Sequence, residues 1–230
     1  ATVTLQHDGL TAAQMNTIIN GLAYRNTSDA FVNTTRVFSL AYMQDDGGTA
    51  DDGNDTNTSL GVASSTVTLS PRNNAPVLAA TALNPTSDED NGTGTGTTPV
   101  LLFGAGTVTD VDFASASFGG GYVNVSLAAY VTGDRLDIAT GVAHALNAVQ
   151  LSGTNVQISN GSAWTTLGTV SSDGQSKAFQ ITLNASATED NIGYIINALR
   201  YFSVADNPTQ NEASPTRAYS LVGNDGNKHG

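Results

Sequence analysis

The sequence predicts an all-β protein built from part of one repeat and nearly the whole of a second, each repeat carrying one short helix. Three observations predict it. Stretches in which apolar and polar residues alternate recur along the 230 residues, separated by turns rich in Gly, Asn and Asp. Charged residues make up only 12% and hydrophobic ones 39%, which supplies a core but not the faces of a long charged helical protein. The chain also repeats itself, since "NTIINGLAY" at 16–24 returns as "GYIINALRY" at 193–201.

The elements follow in order. "ATVTLQ" (1–6) reads as a strand already under way. "NTIINGLAY" is an amphipathic helical stretch running into a strand, with Thr11 at or next to its N-cap and Ile18 and Ile19 toward a core. "TRVFSLAYMQDDG" (35–47) is a strand ending in an acidic turn, and "GVASSTVTLSP" (61–71) is an alternating strand. "RNNAPV" (72–77) is a joint, because Pro76 fixes its own φ and biases Ala75 to extended backbone.

Eight strands are then expected, at 76–82, 99–103, 121–130, 135–139, 149–153, 155–159, 164–170 and 177–183. "SGTN" and "SNGS" are tight turns, and the latter carries the Asn-Gly pair favoured in hairpins. A second helix lies near 189–199, with Thr188 at its cap and Ile195 and Ile196 inward. The two helices are expected to cap one end of a sandwich. Trp164 is expected in the core or at its edge.

The repeat extends beyond the helix. Val3, Leu5, Ile18, Ile19, Asn20, Leu22 and Tyr24 match Ile181, Leu183, Ile195, Ile196, Asn197, Leu199 and Tyr201, and "TRVFSLAYMQDDG" matches "TRAYSLVGNDG" at 216–226. Residues 1–72 therefore read as the C-terminal half of one repeat. Residues 73–230 read as a second repeat that lacks only the counterpart of "GVASSTVTLSP".

With 20 acidic against 8 basic residues the formal net charge is −12. Such a chain does not seek nucleic-acid phosphates and attracts multivalent cations. There is no cysteine, which excludes disulfides, thiolate metal sites and a cysteine nucleophile. No run of about 18 apolar residues is present to insert in a membrane as a helix.

The carboxylates are where chemistry concentrates. Asp110 and Asp112 in "TVTDVDFAS" share one face of a strand, or point together beyond its end. Two anions so close repel unless a cation lies between them, and Ca²⁺, which takes six to eight oxygens, suits the place. Asp88 and Glu89 in "TSDEDNGTG" precede a Gly-rich loop, and Glu89 is placed to reach back to the D-x-D pair. Asp225 stands in the turn "GNDGN", and Asn73 and Asn74 offer amide oxygens at the joint. The cluster Asp45, Asp46, Asp51, Asp52 and Asp55 reads equally as a cation site or as solvated Asp turns. None of these fits the EF-hand spacing.

The order "SDEDNGTGTGTTPVLLFGAGTVTDVDFAS", "GDRLDIATG", "IINALRYFSVADNP" and "TRAYSLVGNDG", with the "RNNAP" joint, resembles the cadherin-like repeats of giant bacterial surface adhesins. The resemblance covers nearly the whole chain. It implies tandem cadherin/immunoglobulin-like β-sandwich repeats, Ca²⁺ at or near the joints, and an extracellular array at a cell surface. Arg72 and Asn73 depart from the acidic residues that cadherin joints favour.

No G-x-S-x-G elbow, phosphate loop or HExxH helix occurs, and His7, His144 and His229 have no partner at ligand spacing. Asp134 and Asp137 in "GDRLDIA" resemble a catalytic pair, but Arg135 beside them reads as a surface strand start. The expected function is therefore a non-enzymatic, calcium-binding structural or adhesive module. Its expected partners are neighbouring repeats or other copies of itself head-to-tail, and surface glycans or another cell surface. A self-assembling filament or surface layer is the alternative. A carbohydrate-binding ancillary domain is weaker, since the 7% of aromatic residues are spread through the strands.

Overall fold

The computed structural model describes residues 3–6, 9–28, 34–45, 47–48, 50–52, 55–57, 64–70, 72–89, 96–111, 117–141, 144–209 and 215–226. The chain divides into two compact units, residues 1–71 and 72–230. The division falls one residue before the boundary expected from the repeat.

The first unit opens on helix α1 (Ala12–Asn20). The Thr11 hydroxyl accepts from the Gln14 amide at 3.3 Å, and the Gln14 side chain accepts from the Thr11 amide at 2.9 Å. This reciprocal box satisfies two of the orphan donors at a helix start. Strand β1 (Thr35–Ser39) pairs antiparallel with β4 (Ser64–Thr68), and a short ladder joins β2 (Met43–Gln44) to β3 (Thr56–Asn57). Residues 3–6 belong to no strand and stand exposed, so their alternation finds no ladder to join. Helix α1 has no buried residue. Ile18 and Ile19 are half-buried rather than in a core, which corrects the expectation for them.

In the second unit each of the eight expected strands is met, and a ninth, Phe103–Thr109, forms beyond the one expected at 99–103. They are β5 (Val77–Ala82), β6 (Val100–Leu101), β7 (Phe103–Thr109), β8 (Tyr122–Leu127), β9 (Asp134–Ile138), β10 (Val149–Ser152), β11 (Asn155–Ser159), β12 (Trp164–Asp173) and β13 (Ala178–Leu183). Helix α2 (Glu189–Ala198), β14 (Leu199–Ser203) and β15 (Tyr219–Asn224) complete it. One antiparallel sheet has the order β10-β11-β12-β13-β8-β15, another β6-β14-β9, and β5 pairs with β7. Gly161 takes a φ of +95° in the Asn-Gly turn between β11 and β12, a backbone region that costs glycine nothing.

All three sheets and α2 feed one core. Strand β8 alternates, with Val123, Val125 and Leu127 inward, and Phe179, Ile181 and Leu183 of β13 face the same way. Leu136 and Ile138 of β9 meet Ile192, Ile195 and Ile196 of α2 in the same cluster. Trp164 is half-buried at the edge, its ring 5.5 Å from that of His144. Among the described residues no helix is long and apolar enough to cross a membrane.

Helix α2 and β14 run antiparallel to the stretch from Thr97 to Asp110, and this fixes which ends meet. Thr97 donates to the Ser203 carbonyl, Leu101 lies opposite Arg200, Gly106 donates to Asn197 Oδ1 at 2.7 Å, and Asp110 donates to Glu189 at 2.6 Å. Gly106 is obligatory here on steric grounds. A Cβ on it would lie 2.8 Å from Cβ and Cγ2 of Ile196.

Candidate functional site

The ladder just described separates the expected site residues into two groups. Glu89 bridges to Thr97, and the Asp88 carbonyl accepts from the Thr98 amide, so both stand at the Ser203 end. Asp110 stands at the other end, beside the first turn of α2. The ten residues of α2 alone span about 15 Å. Glu89 and Asp88, both exposed, are therefore not brought to the D-x-D pair. The expectation fails because the Gly-rich loop after Glu89 is followed by β6 and β7, which carry Asp110 away along the helix.

At the Asp110 end the carboxylate that arrives is Glu189. It is the first residue after the N-cap Thr188, where a negative charge also favours the helix dipole. Its Oε1 accepts from the Asp110 backbone amide and so fixes the end of β7. Asp110 and Glu189 are both half-buried. Asp112 lies outside the described residues. Sequence reasoning missed Glu189, though an acidic pair directly after a cap threonine, "TED", was a usable signal.

Asp225 is the other member of this end. Its side chain is buried, 5% exposed, and it accepts from Asn73 Nδ2 at 2.8 Å. That contact orients the Asn73 amide. The remaining atom, Asn73 Oδ1, is buried with no hydrogen-bond partner. A buried acceptor without a donor is costly, and an oxygen-seeking cation would relieve it. Asn74 is exposed. Pro76, Val108, Phe118, Ile192 and Asn224 line one recess, so the segments carrying Asn73, Asp110, Glu189 and Asp225 meet around it. Among the described residues no three His, Asp or Glu side chains come close enough together to hold a metal by themselves.

In the first unit, Asp45 accepts from the Gly47 amide at 2.9 Å, and Asp55 takes Gln44 Nε2 and the Thr56 hydroxyl, both at 3.0 Å. The bond from Gln44, then that from Thr56, holds the Asp55 carboxyl below its ordinary range. These are the contacts of Asp turns.

Asp134 is the feature that the sequence reading placed wrongly. It is fully buried, not at a surface strand start. Its Oδ1 accepts from the Tyr201 hydroxyl at 2.6 Å, and its Oδ2 from Arg217 Nε and the Val131 amide, both at 2.9 Å. Asp137 instead pairs across the ladder with Arg200. Every acceptor position of Asp134 used here faces a protein donor, so the residue ties β9, β14 and the approach to β15 together.

The class that this fold defines is an all-β protein of two units, one with three sheets and a helix around a single core. Comparison with family models, with curated proteins and with solved structures returns no match.

Proposed function

We propose that the chain is a non-enzymatic, calcium-binding repeat module of a long extracellular surface protein, with a structural or adhesive role and cadherin-like β-sandwich repeats. One observation carries this reading: the two units reuse the same parts at matching positions. The caps Thr11 and Thr188 engage Gln14 and Asn191, each three residues on. Tyr24 packs on Phe38 at 5.0 Å between ring centroids, and their counterparts Tyr201 and Tyr219 pack at 5.9 Å. A capped helix and an aromatic pair that recur at matching positions are what a tandem array would carry, and arrays serve as spacers and extended binding surfaces.

The cation reading rests on Asn73 Oδ1 and the buried Asp225, in a chain of net charge −12. Asp225 and Asn73 would supply oxygens to Ca²⁺, which draws its ligands from carboxylate and amide oxygens. A bound ion there would stiffen the joint by tying Asn73 to the end of β15.

The test is the melting temperature of the chain in calcium and in chelator. Binding to the native state alone adds about 2.7 kcal/mol at a hundredfold excess over Kd, so calcium should raise it. Asp225→Asn should remove most of the increase. A melting temperature that chelator leaves unchanged refutes the cation reading.

A further inference from the structure

The first unit exposes the residues that the second unit buries. Leu22 is 63% exposed and its counterpart Leu199 is 0% exposed; for Tyr24 and Tyr201 the values are 39% and 7%. Ile18 and Ile19 are half-buried, while Ile195 and Ile196 are sealed. Asn20 stands exposed, whereas Asn197 accepts the Gly106 amide. The same helix, cap and aromatic pair thus occur once with a cover and once without.

The second unit shows what the cover is. Strand β7 lies along α2, with Gly106 allowing contact with Ile196 and Gly193. Asp134 of β9 receives the Tyr201 hydroxyl. Both come from residues 72–178, the part of a repeat that has no counterpart within 1–71.

We propose that Ile18, Ile19, Asn20, Leu22 and Tyr24 form a docking surface for a front half with the chemistry of residues 72–178, carried in the same polypeptide ahead of α1. The occupant presents a strand with a glycine facing Ile19. That strand's backbone amide donates to Asn20, as Gly106 donates to Asn197. The occupant also presents a buried carboxylate that accepts the Tyr24 hydroxyl, as Asp134 does for Tyr201. The surface is selective because a side chain in place of the glycine keeps the strand from the helix.

This inference rests on the tandem-repeat reading but not on calcium. The test fuses a second copy of residues 72–178 ahead of Ala1 of the 230-residue chain and follows amide exchange in α1 with chelator present. Exchange should slow by at least on the order of tenfold relative to the 230-residue chain, toward the protection of α2. A fusion carrying Gly106→Val in the added copy alone should lose that protection. Unchanged exchange in the first fusion overturns the proposal, and so does equal protection by the Gly106→Val copy. Sedimentation run alongside identifies the source. Protection that appears only with self-association would assign the cover to another chain and overturn the cis arrangement. A chain whose melting ignores calcium, tested separately, would refute the cation reading and leave this result standing.

Discussion

The Tyr201 hydroxyl donates to the fully buried Asp134 carboxylate at 2.6 Å, 67 residues away in sequence. Arg217 completes the pair from a third segment, its side chain only 11% exposed. The arrangement places one negative and one positive charge in the interior, with the phenol as a neutral donor.

Removing the carboxylate leaves Arg217 buried without its counterion. Breaking a buried pair from one side costs about 3–5 kcal/mol. Asp134→Ala should therefore lower the unfolding free energy of the second unit by that amount in denaturant titrations followed by Trp164. A loss below about 1 kcal/mol, the range of a surface pair, would show that the ion pair is solvated.

The same cluster sets an alkaline limit. Burial, then the bond to Asp134, raises the Tyr201 phenol above its ordinary range, and burial, then the charge of Asp134, raises Tyr219. An unfolded phenol ionises near pH ~10. The folded state binds these protons more tightly, so the stability they bring is whole below about pH 10 and is lost as pH rises through the folded values. The denaturation midpoint should be insensitive to these groups at neutral pH and fall above about pH 10, together with phenolate absorbance. Tyr201→Phe should make that fall shallower. A midpoint that declines equally in wild type and variant would assign the alkaline loss to other groups.

The strands of the second unit were legible because its sheets bury one face, so "YVNVSL" and "AFQITL" must alternate. Both helices were legible from threonine caps and paired isoleucines. Two things were not. Residues 3–6 alternate as a strand does, yet pairing depends on a neighbour that local pattern cannot reveal. The site was half legible. Asp225 and Asn73 do meet, but Glu89 and Asp110 were joined by nearness in sequence, whereas the antiparallel run along α2 moves them to opposite ends and brings Glu189 instead. Asp134 looked exposed because Arg135 follows it, while alternation on β9 turns neighbours to opposite faces.

Equivalent isoleucines should respond unequally. Ile196 is 0% exposed, and its truncation to Ala removes buried methyl groups and leaves a cavity, at about 2–5 kcal/mol. Ile19, its counterpart, is half-buried on a helix with no buried residue, so Ile19→Ala should cost under about 1 kcal/mol. Amide exchange read separately in α1 and α2 would distinguish them. Equal losses would mean that α1 is covered in solution.

Two glycines on β7 allow a sharper test of how α2 is seated. At Gly106 an added Cβ would lie 2.8 Å from two atoms of Ile196 and 3.0 Å from the Gly193 carbonyl oxygen. Neither neighbour can yield, since Ile196 is fully buried and the carbonyl belongs to the helix backbone. At Gly104 the nearest atom is Leu83 Cδ2 at 3.3 Å, the end of a flexible and 47% exposed side chain. Neither glycine has a positive φ, so sterics alone separate them. Gly106→Ala should cost about 1–3 kcal/mol through overpacking and weaken the bond from residue 106 to Asn197. Gly104→Ala should fall within about 0.5 kcal/mol of wild type, as substitutions away from such contacts do. Equal costs at the two positions in denaturant titrations would show that β7 does not lie against α2 at Gly106.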